Sequence, residues 1–354
     1  MRIRSFITGA LTCVGALVAT PALCDEATVV SGKVFADLTN IDASNDGTDL
    51  ATNGTGVDVK RFYVGVTHTF DEVWSANVTS DFNYISNDSE TQVYIKKAYL
   101  QAKLSDALTG RLGSADMPWI PSVEEQYGFR YIEPTITDRL KFASSADWGV
   151  HGFGKFADGK VSYGVSVVNG AGYKNTNRSQ SMDVEARLSF MPIKGLTFMV
   201  GGYNGKLGKD IAGTATPPQH TATRLGAMVG YVTSSLRVGA EYFQADNWNN
   251  VVTVASDKAD GASVWASYNF TPAWGVFARA DNARTSKDLN PDLKDEYYHA
   301  GVAFRARKNV DLAFVYKHER VTGGGFVNTA NGTFGGTGEG GKYDEIGVWG
   351  QMSF

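Results

Sequence analysis

Strict period-two alternation recurs along this chain and constrains its fold more than any other feature. Trp74, Ala76, Val78, Ser80, Phe82 and Tyr84 alternate with Ser75, Asn77, Thr79, Asp81 and Asn83. Val161, Tyr163, Val165 and Val167 alternate with Ser162, Gly164 and Ser166. The same rhythm runs through 184–190, 236–242, 274–281 and 310–317. Alternation of this kind marks strands with one apolar and one polar face, and no long segment reads at helical period. The connections alternate too. Short turns at 70–73, 104–107, 157–159, 191–195, 232–235, 271–273 and 306–309 trade places with longer polar loops at 41–57, 85–91, 117–147, 169–182, 205–220, 245–260, 282–296 and 321–342. Seven turns and eight loops join sixteen strands, an even number that can close antiparallel on itself. Short connections on one side and long ones on the other belong to a transmembrane β-barrel. The sequence therefore predicts an all-β fold, a 16-stranded antiparallel transmembrane β-barrel.

Hydropathy does not separate this reading from a soluble one. The mean hydropathy is −0.20, and a barrel whose strands alternate between lipid and lumen averages to the same level. A soluble β-sandwich would need polar outer faces and an apolar interior. Here the apolar faces are too uniform around too many strands, and no second apolar set fills a lumen. Aromatic residues gather near strand ends, at Trp74, Tyr84, Trp148, Tyr163, Phe190, Tyr231, Tyr242, Phe270, Trp274 and Phe304. That position suits interfacial girdles. The last strand alternates to a terminal Phe354, which resembles the assembly signal of outer-membrane proteins.

The first residues read as a secretory signal peptide over 1–24: Arg2 and Arg4, an apolar run from Phe6 to Ala19, then Pro21 and Ala22-Leu23-Cys24 before Asp25-Glu26. Cleavage after Cys24 or after Ala22 both fit. The run is too short for a membrane-spanning helix. Both cysteines, Cys13 and Cys24, lie in this leader, so the expected barrel over 25–354 is stabilised without disulfides. Losing Arg2 and Arg4 moves the net charge from −4 to −6, which argues against a nucleic-acid partner. The expected location is the outer membrane of a Gram-negative bacterium, with outer-membrane lipid and lipopolysaccharide as surroundings.

Lys60-Arg61-Phe62-Tyr63-Val64-Gly65-Val66 is followed by Trp74, Asp81-Phe82, Lys97-Ala98-Tyr99-Leu100, Arg111-Leu112-Gly113 and Met117-Pro118-Trp119. Trp148-Gly149-Val150, Tyr163-Gly164-Val165 and Val168-Asn169-Gly170 continue the series. In this order the motifs resemble the phosphate-selective porin O and P family, over most of residues 55–175. The resemblance implies a trimer, a long third loop folded into the pore, and passive passage of small solutes, phosphate-like anions among them. The chain departs from the family at Pro118-Trp119-Ile120-Pro121, and the family's arginine ladder does not map onto it.

The third loop, 117–147, is then the expected constriction. It carries Arg130, Arg139 and Lys141 beside Glu124, Glu125, Glu133 and Asp138. Strand parity turns Lys33, Arg111, Arg187, Arg224, Arg237, Arg279, Arg305 and Lys317 toward the lumen. It turns Asp37, Asp81, Glu185, Glu241, Asp281, Asp311, Glu319 and Glu345 the same way. Rows of charge in a narrow wet pore set ion preference, and guanidinium grips phosphate or carboxylate through two hydrogen bonds. The candidate solute-binding set is Arg111, Arg130, Arg139, Lys141, Lys33, Arg187, Arg237 and Arg279, with Arg111, Arg130 and Arg139 foremost. For any one pair, such as Glu185 with Arg187 or Asp281 with Arg279, a wall brace is the plainer reading. Trp119, Tyr127, Phe129 and Tyr131 read as a sugar slide or, more simply, as anchors of the loop.

Asp42, Ser44, Asp46 and Gly47 copy the start of a calcium loop, but position twelve is Asn53, so a solvated turn is the better reading. His68, His151, His220, His299 and His318 show no ligand spacing, and no metal or cofactor is expected. No nucleophile elbow or phosphate-binding loop is present. The function expected is a passive channel for small anions such as phosphate, not an enzyme. A general or carbohydrate porin is the alternative, and a barrel enzyme or adhesin lies further off.

Overall fold

In the computed structural model, residues 26–84 and 91–354 are described. The leader expected over 1–24 and most of the loop 85–91 lie outside them. Sixteen long strands form one antiparallel sheet: β1 (Ala27–Asn45), β2 (Gly54–Thr69), β3 (Trp74–Tyr84), β4 (Thr91–Ser105), β5 (Leu108–Asp116), β6 (Ala146–Phe156), β7 (Val161–Val168) and β8 (Asp183–Ile193), then β9 (Leu196–Gly205), β10 (Ala222–Val232), β11 (Leu236–Asp246), β12 (Lys258–Asn269), β13 (Trp274–Arg284), β14 (Lys294–Arg307), β15 (Val310–Thr322) and β16 (Gly341–Ser353). Each strand pairs with its sequence neighbours. β1 also pairs with β16, from Lys33 opposite Ser353 to Asn45 opposite Gly341. That seam closes the barrel, so no strand edge is left unpaired in lipid. The seven short turns all lie at the end that carries Phe354, and the longer loops lie at the other.

The two faces are distributed as the alternation requires. Along β13 the outward Trp274 and Val276 are exposed, and the inward Phe277, Arg279 and Asp281 are buried. Leu112, Leu188, Val200, Leu225, Val264 and Phe314 are each more than half exposed on the outside. An apolar exterior around a polar interior inverts the soluble pattern and suits hydrocarbon surroundings.

Between β5 and β6 the chain forms two short helices, α1 (Ile120–Tyr127) and α2 (Ile136–Arg139). Pro121 sits in the first turn of α1, where its missing N–H goes unneeded. Gly128 ends α1 with φ of 83° and donates its N–H to the Glu124 carbonyl. A Cβ there would also stand 3.0 Å from Arg237 Nε. Glycine is therefore required for both the left-handed turn and the close approach.

The third loop packs on the inward wall from β8 round to β1. Trp119 N–H donates to Glu185 and its indole to Glu241, both at 2.9 Å. Tyr127 lies 5.9 Å from Trp265, Phe129 stacks on Phe277 at 4.4 Å, and Tyr131 lies 6.4 Å from Phe35. Phe142 meets Phe243 at 5.0 Å. Between β2 and the loop lies a cavity of about 450 Å³, lined by Asp58, Lys60 and Arg61 on the wall and by Arg130, Tyr131 and Glu133 on the loop.

Candidate pore constriction

The geometry of the open wall begins with two β-bulges. Between Phe35/Ala36 of β1 and Arg61/Val59 of β2 the register slips, leaving Lys60 as the extra residue. Between Thr79/Ser80 of β3 and Lys97/Ile95 of β4 it slips again, leaving Lys96. A bulge puts two residues opposite one and so reverses the parity beyond it. Val57 and Phe62 both face outward on either side of the first bulge, as do Ile95 and Leu100 around the second. Lys60-Arg61 and Lys96-Lys97 thus both point inward as adjacent pairs. A strict period of two would have driven one member of each into lipid.

These cations differ in what they hold. Lys60 reaches Asp58 at 3.0 Å and Asp37 at 3.5 Å. Arg61 reaches Asp81 at 2.9 Å, and the Tyr173 hydroxyl donates to the same carboxylate at 2.7 Å. Lys97 holds Asp116 at 2.6 Å. Lys96 pairs with no carboxylate among the described residues. Its ammonium lies 4.8 Å from the ring centre of Tyr63 and 5.7 Å from that of Tyr173, a cation–π seating. Arg111 also lacks a carboxylate. It donates to Gln101 at 2.8 Å and lies over Tyr99 and Phe153. Across the gap, the loop presents Arg130 with Glu124 at 2.5 Å and Asp138 at 3.4 Å. Burial pushes the Glu124 carboxyl up, and the Arg130 charge beside it, with a smaller contribution from Lys96, offsets only part of the rise.

The other sequence candidates scatter. Arg139 is fully enclosed and meets Asp281 at 3.1 Å, Asp295 at 2.5 Å and Glu319 at 2.8 Å. Burial opposes its charge, but the carboxylates, Asp295 first, hold the guanidinium well above its ordinary value. Arg279 is clamped on Asp281 and donates to the Pro134 carbonyl at 2.5 Å. Arg224 bridges Glu185 and the Phe142 carbonyl. Lys317 sits between Glu133 at 3.2 Å and Glu345 at 3.0 Å. These four tie the loop to the wall and present no free face to solute. Lys141 donates to Asn328 of the last loop at 2.6 Å, and burial pulls its ammonium down. Arg187 donates to Ser162 and Ser189, and Arg237 to the carbonyls of Glu125 and Gln126. Arg187 borders a cavity of about 900 Å³ at the short-turn end. Lys33 is exposed on the inward side of β1 near the same end. Arg305 pairs with Asp311 at 2.9 Å.

The carboxylates behave oppositely to the cations. Asp37, Asp81, Glu133, Glu185, Glu241, Asp281, Asp295, Glu319 and Glu345 are each at most 4% exposed. The acids that solute can reach are Asp58, Asp116, Glu124, Asp138 and Asp311, each paired, and Glu125, which is exposed. Lys33, Lys96, Arg111, Arg187 and Arg237 are reachable and unpaired among the described residues. The overall charge is negative, yet the reachable lumen carries a positive excess.

Trp119, Tyr127 and Tyr131 are buried against the wall, so they anchor the loop and offer no slide for sugars. Asp46 accepts the amides of Thr337, Gly338 and Gly340 and is filled by its own chain. No cluster of His, Cys, Asp and Glu fit to hold a metal occurs among the described residues.

Solved porin structures share this fold. An anion-selective porin from Comamonas acidovorans superposes with a TM-score of 0.68 at 13% identity, covering 93% of this chain and 100% of that one. The outer membrane channel DcaP of Acinetobacter baumannii gives 0.64 at 12% identity, over 96% and 100%. The trimer form of OmpT, an outer membrane protein of Vibrio cholerae, gives 0.60 at 14%, over 93% and 99%. At these identities the likeness concerns the fold. No family model matches the chain, and no curated protein does.

Proposed function

We propose that this barrel is a passive channel of a Gram-negative outer membrane that favours small anions, phosphate-like ones included. The observation that carries the reading is the asymmetry of reachable charge: Lys96 and Arg111 stand unpaired on the open wall, and the inward carboxylates, Glu125 apart, are sealed or already matched. Aqueous pores select by the charge that permeants can feel, and net composition does not enter. The porin folds of the similar structures, one of them titled anion-selective, support the same reading. So do the motifs over 55–175 that resemble phosphate-selective porins O and P. The trimer form recorded for one similar structure supports a homotrimer. In this reading the solute passes Arg130 on the loop and Lys96, Arg111 and Arg61 on the wall. Arg139 and Arg279 set the loop's position.

The test is the reversal potential of single channels in a planar bilayer under a KCl gradient, repeated with added phosphate and with maltose. Reversal toward the chloride potential, with block by phosphate, is the expected result. A cation-directed or near-neutral reversal with sugar block would assign a general or carbohydrate porin instead.

A further inference from the structure

Away from the constriction, a second cavity of about 470 Å³ sits among the long loops at the mouth. The third loop supplies Met117 and Lys141 to it, and the end of β9 supplies Tyr203. Lys209 and Ile211 come from the loop after β9, and Trp248 and Val252 from the loop after β11. Lys96, Arg111 and Arg130 do not line it. Its volume falls in the range of small-molecule sites, about 300–1,000 Å³.

The polar groups of its walls are spent on one another. The Trp248 indole donates to the Lys141 carbonyl at 2.8 Å, and the Tyr203 hydroxyl donates to Asp183 at 2.5 Å. Asp183 also accepts the amides of Lys206 at 2.8 Å and Leu207 at 2.7 Å, which fixes the start of the loop after β9. Asp147, the carboxylate on the lining, is buried and accepts the amides of Trp148, Gly172 and Gly170 at 2.7, 3.0 and 3.1 Å. The two rings, with Met117, Ile211 and Val252, therefore offer a ligand apolar surface. Tyr203 and Trp248 meet edge to face at 5.0 Å, a pairing that a third ring can extend. The charge left over is positive. Lys141 reaches only the side-chain oxygen of Asn328, and neither Lys141 nor Lys209 pairs with a carboxylate among the described residues.

We propose that this cavity binds an aromatic carboxylate, with its ring against Tyr203 and Trp248 and its carboxylate toward Lys141 and Lys209. Such a ligand uses both halves of the lining. The ring loses water against apolar walls, and ammonium groups with no carboxylate of their own supply charge-assisted hydrogen bonds. A small inorganic anion would use the charge alone and leave the apolar walls wet. The site goes beyond the channel reading: it lies on the long-loop side of the constriction, and binding there is measured without current.

The test is isothermal titration calorimetry of the detergent-solubilised protein with 2-naphthoate, compared with acetate, which has the charge alone, and with 2-naphthalenemethanol, which has the ring alone. Wild type is expected to bind 2-naphthoate at least about tenfold more tightly than either. Lys141→Gln with Lys209→Gln is expected to weaken that binding by at least about tenfold, the scale of one charge-assisted hydrogen bond. Ile211→Ser, at an exposed position, is expected to weaken it about threefold, the scale of about 25 Å² of apolar contact. Lys141→Arg keeps the charge and is expected to retain most of the binding, which separates loss of the site from misfolding. Acetate or the alcohol bound as tightly as 2-naphthoate would overturn the proposal, and so would a double variant that binds as wild type does. Binding lost in Lys96→Gln but kept in the double variant would also overturn it, by seating the ligand in the constriction. Bilayer currents from the same samples show separately whether the channel reading stands.

Discussion

Two inward cations with opposite surroundings define what single residues do here. Lys96 is seated on Tyr63 and Tyr173 with no carboxylate at hand, whereas Arg139 is enclosed by Asp281, Asp295 and Glu319. Lys96→Gln removes one reachable charge and leaves the loop's anchors intact. The expected effect is a fall in anion-over-cation permeability of about threefold, with the thermal midpoint of the barrel unchanged. That is the scale of one unit charge acting across about 6 Å of water, about 0.7 kcal/mol. Arg139→Gln does the reverse. It leaves the buried carboxylates of Asp295 and Glu319 without their cation and Asp281 with Arg279 alone, a loss of about 3–5 kcal/mol. The barrel should melt earlier and its open-channel current should fluctuate more. If Arg139→Gln altered selectivity alone and Lys96→Gln altered stability alone, the two roles would have to be exchanged. The sequence could not separate these residues, because the partners of Arg139 lie on β13, β14 and β15, far along the chain. It did contain a sign of the missed Lys96: two adjacent lysines inside a strand cannot both avoid lipid unless the strand is bulged.

At the scale of elements, the third loop and the rim loops are held by different devices. Trp119 lies flat against two glycines of the wall: a Cβ at Gly201 or Gly226 would stand 2.7 Å from its ring. Gly226→Leu should lift the ring, break the indole bond to Glu241 and destabilise the barrel by about 1–3 kcal/mol, the scale of overpacking. Single-channel conductance should change with it. Unaltered conductance in a folded variant would show that Trp119 does not fix the aperture. At the rim, Asp257 accepts from the Ser286 hydroxyl and from the amides of Lys258, Asp288 and Leu289. Burial pushes its carboxyl up, but these hydrogen bonds more than compensate, and it lies below its ordinary value. A depressed carboxyl stabilises above its unfolded value and ceases to do so as pH falls through the folded one. Amide exchange at Asp288 and Leu289, corrected for the intrinsic rate, should stay constant from neutral pH to about pH 5 and accelerate below about pH 3. Acceleration already at pH 5 would contradict this latch. Strand count, turn positions and loop positions were legible from alternation and connection length, since a wall with one face in lipid must repeat every second residue. The path of the loop was not, because it is set by side-chain contacts between distant segments that leave no local pattern.

For the whole molecule, the sign of the total charge and the sign of the lumen disagree. The chain carries −4 overall, but most inward acids are sealed by Arg139, Arg224, Arg279 and Lys317 or by hydrogen bonds, the reachable ones apart from Glu125 are paired, and what remains within reach carries a positive excess. Such a field acts through water and is screened by salt, over about 10 Å at 0.1 M and about 3 Å at 1 M. If selectivity comes only from this field, the anion-over-cation permeability ratio should fall toward one as KCl rises from about 0.1 to about 1 M. A desolvated site behaves differently, because a phosphate held directly by Arg111, Arg130 or Lys96 gains hydrogen bonds that screening weakens little. Phosphate block measured over the same range distinguishes the two. Block that fades in step with the permeability ratio means a diffuse positive pore. Block that persists at 1 M means at least one of these cations grips the anion in direct contact. In that case Lys96→Gln, which removes the cation with no carboxylate of its own, should weaken block more than the ratio.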